Sequence, residues 1–111
     1  MARHSWKKRE REAAKFLGGT RHWANSGAEV DVESAGIVCQ VKERKTLSLA
    51  AVEALALEIE RIAGYKAKAG IVMVKRSAGR GRETPWLVIT TASVFRELNG
   101  PLPTDSALEE A

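Results

Sequence analysis

The chain has 111 residues, of which 44% are hydrophobic and 29% charged, with a formal net charge of +4. These values are ordinary for one globular domain, and the length excludes two separate hydrophobic cores. No apolar run is long enough to cross a membrane, and the first residues lack the apolar centre of a secretion signal. The single cysteine, Cys39, cannot form an internal disulfide and indicates a reducing compartment, so we expect a cytoplasmic protein.

The first half of the chain predicts one helix followed by three strands. The helix is expected over about residues 6–17, with Ser5 as its N-cap and Gly18 at its end. A short strand follows at about residues 20–24, and then a loop at residues 25–27. Two further strands are expected to form a hairpin that turns at residues 35–36.

The second half predicts a helix, two strands and a short helix. The long helix begins at Thr46 or Ser48 and runs to about residue 63, where Gly64 ends it. Strands are expected at residues 68–74 and 86–91, joined by a loop rich in Gly and Arg. Thr91 or Ser93 caps the last helix. Residues 1–100 are therefore interpreted as one α/β domain with a central mixed β-sheet flanked by helices, and residues 101–111 as a flexible acidic tail.

The long helix is apolar on nearly every side, which indicates burial on more than one face. One face is expected to meet the sheet. The other packs either inside the same monomer or against a second copy of the chain, and a homodimer through residues 47–63 is our expectation.

The predicted hairpin determines which side chains meet. A turn at residues 35–36 pairs Val32 with Cys39 and Val30 with Val41. Because side chains alternate between faces of a strand, these four residues are predicted to form one apolar face.

The same register gives the hairpin a polar face. It places Asp31 opposite Gln40 and beside Lys42, so a carboxylate, an amide oxygen and an ammonium group converge. This combination suits a divalent cation and a water molecule to be activated. The alternative is an ordinary solvated strand face, in which Lys42 pairs with Glu43 or Glu33.

Positive charge is concentrated in two segments, which favours a polyanionic partner such as nucleic acid. Either segment alone could serve only solubility. The basic residues are Arg3, Lys7, Lys8, Arg9 and Arg11 in the first segment, and Lys75, Arg76, Arg80 and Arg82 in the second.

Several short motifs together resemble the archaeal-type Holliday junction resolvases, a branch of the PD-(D/E)xK nuclease superfamily. The matching residues are Glu10, Arg11 and Glu12 in the first helix, Ser26 and Gly27 before the second strand, Asp31, and Gln40, Val41 and Lys42. The similarity covers about residues 5–95. It implies a restriction-endonuclease-like core and a dimer that depends on Mg²⁺, with Mn²⁺ as a substitute, and cuts four-way DNA junctions symmetrically.

The resemblance also implies roles for individual residues. Glu10, Asp31, Gln40 and Lys42 would be catalytic, and the first three would hold the metal together with the backbone carbonyl of Val41. The implied DNA contacts are Arg3, Lys7, Lys8, Arg9, Arg11, Arg21, Ser26, Arg76, Arg80 and Arg82.

Position 40 departs from the family pattern, because Gln40 replaces the family's Glu. An amide oxygen still binds a hard cation, but without the negative charge that strengthens binding. Glu33 or Glu10 could compensate for the missing carboxylate. The alternatives to a junction-resolving enzyme are a catalytically weak or inactive structure-selective DNA-binding protein, and a related nicking or repair nuclease.

Overall fold

The computed structural model describes residues 2–22 and 30–100, with side chains from Lys7 onward. The predicted order of helices and strands, α-β-β-β-α-β-β-α, is confirmed. The elements are α1 (Ala2–Leu17), β1 (Thr20–Arg21), β2 (Val32–Glu33), β3 (Ile37–Arg44), α2 (Leu49–Lys66), β4 (Ala69–Arg76), β5 (Trp86–Ile89) and α3 (Ala92–Asn99).

The five strands form one mixed sheet in the order β1-β2-β3-β4-β5. β3 and β4 are parallel, whereas the other neighbours are antiparallel. The parallel pair is joined through α2, as a crossover between parallel strands requires. The predicted α/β class with a central mixed sheet between helices is therefore confirmed.

Each face of the sheet is covered by one long helix. On one face, Ala13 of α1 packs in a buried cluster with Cys39 and Met73. On the other face, Ile59 of α2 packs with Val38 and other strand residues. β4 is buried on both faces, because it lies between the two helices and has neighbours on both edges.

Gly70 lets α2 approach β4 closely. A Cβ atom at this position would overlap the backbone carbonyl of Ile59. Only a hydrogen fits there, so the helix lies directly on the strand backbone.

The ends of α1 differ partly from the prediction. Ser5 lies inside the helix and is not its N-cap, because the helix already begins at Ala2. Gly18 ends the helix as predicted, with the positive φ of 64° that glycine adopts readily.

The end of α2 was predicted three residues too early. Ser48 is the N-cap, and its hydroxyl accepts a hydrogen bond of 3.1 Å from Ala51 N. The helix continues through Gly64 to Lys66, and Ala67 adopts the left-handed φ of 55°. Gly64 therefore lies within the helix, and the hydrogen bond of 3.1 Å from Lys68 N to Ala63 O closes its last turn.

Three other predictions fall partly or wholly outside the described residues. The strand predicted at residues 20–24 is formed at Thr20–Arg21, and residues 23–24 lie outside the described residues. The predicted loop at residues 25–27 and the predicted tail at residues 101–111 also lie outside them. In residues 2–22 and 30–100, no helix has the length and apolar character of a membrane span.

Candidate active site

Asp31 occupies the predicted position beside β3. Val32 pairs with Cys39, which is the predicted register, and Asp31 N donates to Cys39 O at 3.0 Å. On the N-terminal side of Val32 the chain no longer pairs with β3 as a strand. The amide of Val41 instead donates to Asp31 Oδ2 at 2.8 Å, so the carboxylate substitutes for a backbone carbonyl. Asp31 is thereby fixed against the peptide group that links Gln40 to Val41.

The prediction of one apolar face containing both Val30 and Val32 was wrong. Val32 packs on the α1 side of the sheet, whereas Val30 belongs to the cluster on the α2 side. The chain bends at Asp31, and β2 begins only at Val32. The alternation that holds in a regular strand therefore does not extend across the bend.

Glu10 comes from the inward face of α1. Its position three residues before the buried Ala13 brings it to the same side of the helix. The side chain is nearly buried and interacts with the carboxylate of Asp31. Glu12 is directed elsewhere, to Arg9 Nη1 at 2.8 Å.

The pKa of Glu10 depends on its burial and on its two charged neighbours, Arg21 and Asp31. Burial is the largest effect and raises the pKa of Glu10, and the charge and hydrogen bond of Asp31 raise it further. Arg21 opposes them, because its Nε lies 2.7 Å from Glu10 Oε1. When Glu10 and Asp31 are both ionised, their two negative charges exceed the single positive charge of Arg21. This excess favours the binding of an additional cation between them.

Arg21 was predicted only as a phosphate contact, and its pairing with Glu10 was missed. No local pattern in the sequence signals this pair, because α1 and β1 become neighbours only through the fold.

By the alternation of side chains along a strand, Gln40 and Lys42 share one face of β3. They share this face with Val38, which packs beneath α2, so the face is not the wholly polar surface that we expected. Glu10 approaches from the α1 side, and the Asp31 carboxylate lies at the edge of β3 between the two faces. Lys42 is half-buried and forms no ion pair with any residue of the described ranges.

Glu33 belongs to a separate cluster. Its carboxylate lies 2.6 Å from Lys68 Nζ, 2.8 Å from His22 Nε2 and 3.4 Å from Lys66 Nζ. Hydrogen bonds from Lys68 and His22 lower the pKa of Glu33 to about 2. With its oxygens occupied by these partners, Glu33 does not supply the carboxylate that position 40 lacks.

The described residues contain no group of three or more His, Cys, Asp or Glu side chains arranged to hold a metal ion. Position 40 is Gln, so the carboxylates beside the Gln40–Val41 peptide are those of Glu10 and Asp31. The Glu10–Asp31 pair still fits a hard divalent cation, because carboxylate oxygens are the ligands that such a cation prefers and these two side chains interact.

The basic residues predicted to contact DNA lie in different surroundings. Arg9 is held by Glu12 and by Glu43, whose Oε2 lies 3.3 Å from Arg9 Nε. Ser26 and the side chain of Arg3 lie outside the described part of the chain. Of the predicted DNA contacts in the described ranges, the exposed ones are Lys7, Lys8 and Arg11 on α1, Arg76 at the end of β4, and Arg80 and Arg82 in the loop that follows.

Cys39 is fully buried in the α1-side core, and its burial raises the pKa of the thiol to about 12. A thiol in this state is a packing group and not a nucleophile at neutral pH.

Comparisons of the chain with protein-family models, with curated proteins and with solved structures found no match.

Proposed function

We propose that this protein is a magnesium-dependent endonuclease with a restriction-endonuclease-like core, which resolves four-way DNA junctions by paired, symmetric phosphodiester hydrolysis. The observation that carries the proposal is the pairing of Glu10 with Asp31 beside the Gln40–Val41 peptide. The order of the elements and the short sequence motifs also support it. The free, buried thiol of Cys39 is compatible with a cytoplasmic setting.

Glu10, Asp31, the Gln40 side-chain oxygen and the Val41 carbonyl would hold Mg²⁺, or Mn²⁺ in its place. When bound, such a cation stabilises charge on a phosphate group and lowers the pKa of a coordinated water. The hydrogen bond from Val41 N orients the Asp31 carboxylate. Arg21 fixes Glu10 and limits the repulsion between the two acids.

Lys42 has the position to assist the chemistry. It is half-buried and without an acidic partner among the described residues, so its ammonium group is available for a phosphate oxygen or the attacking water. Exposed basic side chains on α1 and after β4 would follow the duplex arms, and binding would weaken as salt concentration rises.

Paired cleavage requires two active sites, and we propose a homodimer formed through α2. The outer face of this helix exposes large apolar side chains, with 84% of Leu49 and 54% of Leu57 accessible. An apolar cavity of about 590 Å³ lies beside them, between α2 and the end of β5. A second copy of the chain would cover this surface.

The deciding experiment is cleavage of a synthetic four-way junction with Mg²⁺ or Mn²⁺, and product mapping on all four strands. Flap and linear duplex substrates are tested under the same conditions. Symmetric cuts in two opposing strands of the junction support the proposal. Cleavage of the flap alone would instead identify a related nicking or repair nuclease.

The second candidate function is structure-selective DNA binding without cleavage. Gln40 favours it, because the described residues supply only two adjacent carboxylates to a metal. Tight binding to the junction without products in either metal would establish this alternative.

A further inference from the structure

A basic cavity of about 530 Å³ lies between the ends of β3 and β4 and the loop at residues 77–85. Six basic side chains line it: Arg9, Lys45, Lys75, Arg76, Arg80 and Arg82. The only acidic side chain among its lining residues is Glu43, which is already engaged by Arg9. The cavity therefore has a strong excess of positive charge.

Lys75 is the unusual member of this set, because its side chain is only 8% exposed. Its ammonium lies 5.6 Å from the centre of the Trp86 ring. Its carboxylate partner among the described residues is Glu83, at 3.7 Å, whose own side chain is 92% exposed. A buried ammonium group is costly without a close and equally desolvated counterion. Glu83 does not meet this requirement, so the structure leaves room for an external anion.

The loop above Lys75 is suited to closing over a small ligand. Gly79 and Gly81 have positive φ values of 97° and 74°, and they flank the exposed Arg80. Thr84 ties the end of the loop to β4 by donating its hydroxyl to Arg76 O at 2.8 Å. Arg80 and Arg82 thus stand at the rim of the cavity, with Lys75 at its base.

We propose that this cavity binds a phosphomonoester, either the terminal phosphate of a nucleic-acid strand or a free nucleotide. The phosphodiesters of a continuous duplex lie on a convex surface and would meet the exposed rim. A terminal phosphate protrudes, carries more negative charge than a diester, and can reach a buried ammonium. The cavity volume is within the range of small-molecule sites. None of the acidic residues of the candidate active site lines it.

The test compares one single-stranded oligonucleotide with and without a terminal 5′-phosphate, labelled at its other end. Binding is measured by fluorescence anisotropy in EDTA, so that cleavage cannot contribute. The phosphorylated strand is expected to bind about tenfold more tightly, which corresponds to one charge-assisted hydrogen bond. Lys75→Met should abolish the preference, whereas Lys15→Met, which removes an exposed charge on α1, should retain it.

Competition then separates the two sources of the phosphate. Displacement by a 5′-mononucleotide at a similar concentration assigns the cavity to free nucleotides, and displacement only by phosphorylated strands assigns it to strand ends. Equal affinity for both oligonucleotides, or a preference that survives in Lys75→Met, would overturn the proposal.

Two further variants test the phosphate preference without changing Lys75. Arg80→Gln combined with Arg82→Gln changes only exposed side chains and should weaken the preference even if Lys75→Met does not fold. Asp31→Ala should keep it. Failure of junction cleavage therefore leaves this proposal intact, and failure of phosphate binding leaves the proposed nuclease intact.

Discussion

The Asp31 carboxylate accepts a hydrogen bond of 2.8 Å from the backbone amide of Val41, and Asp31 is the residue immediately before β2 begins to pair with β3. The side chain therefore has a structural task and, in the proposed enzyme, a chemical one. A substitution that keeps the hydrogen-bond acceptor but removes the negative charge can distinguish the structural role from the chemical one.

Asp31→Asn keeps an oxygen for Val41 N but removes the negative charge. We expect it to fold like the wild type and to lose at least about 100-fold in cleavage rate, because charge at the metal and the phosphate is the larger catalytic contribution. Asp31→Ala should lose cleavage and also about 1 kcal/mol of stability, since the amide loses its acceptor. Single-turnover cleavage and urea unfolding of both variants check this. An active Asp31→Asn enzyme would contradict the proposed role.

Gln40→Glu adds a third carboxylate beside Glu10 and Asp31, as in the nuclease pattern that the sequence resembles. Mg²⁺ affinity, measured by calorimetry, should rise by about tenfold, since charge strengthens the binding of a hard cation. Cleavage of the junction should be kept or increased. Asn99→Asp introduces the same charge at an exposed position on α3 and serves as the control. Unchanged Mg²⁺ affinity in Gln40→Glu would count against a metal site at the edge of β3.

Glu10→Gln tests the raised pKa of Glu10, which is caused by its burial and by the neighbouring Asp31. Because folding raises the pKa of Glu10, its ionisation opposes folding: stability is highest below its ordinary value of 4.5 and decreases as pH rises through the folded value. The melting temperature of Glu10→Gln should therefore improve relative to wild type between pH 4 and pH 8. Millimolar Mg²⁺ should raise the melting temperature of the wild type more than that of the variant. Glu12→Gln is the control, and the same pH trend in that variant would contradict the assignment.

Glu33→Gln tests the cluster with His22, Lys66 and Lys68. The pKa of Glu33 is lowered to about 2, so its contribution to stability is complete above pH 4.5 and is lost as pH falls toward 2. We expect the variant to lose about 1–2 kcal/mol at pH 7 and to match the wild type near pH 2. Denaturant unfolding at both values measures this. Glu58→Gln, in an exposed pair with Arg61, should change stability little. A pH-independent loss in Glu33→Gln would point to packing instead.

Leu57→Glu tests the proposed dimer. The residue is 54% exposed in the monomer, so a charge there should leave folding intact but should be costly within an apolar interface. Sedimentation should give a dimer for the wild type and a monomer for the variant. Phe16→Glu, on the exposed side of α1, should remain dimeric. A wild-type monomer over the whole accessible concentration range would refute the interface.

The parts of the fold that depend on local sequence were predictable. The period of apolar residues in β3 gave its two faces, and the short connection after Glu33 gave the pairing of Val32 with Cys39. The caps at Gly18 and Ser48 follow from the conformational preferences of single residues. Proximity of Asp31 to Gln40 followed from the register alone.

The parts that depend on distant contacts were not predictable. The bend at Asp31 reversed the expected orientation of Val30, and nothing in the alternating pattern indicates a bend. The pairing of Arg21 with Glu10 and the burial of Lys75 arise where separate elements meet. Gly64 fits a helix end by its type, but α2 runs to Lys66, and the capping hydrogen bonds come from Ala67 N and Lys68 N.

Gly70 has a consequence for distances across the whole molecule. With a single hydrogen at this position, the carbonyl of Ile59 rests against the backbone of β4, so the height of α2 above the sheet is set by atomic contact. A methyl group at this position would force α2 away from the sheet. The outer surface of α2 therefore lies at a height above β4 that this contact fixes, and a second copy of the chain bound on that surface would lie at the same height.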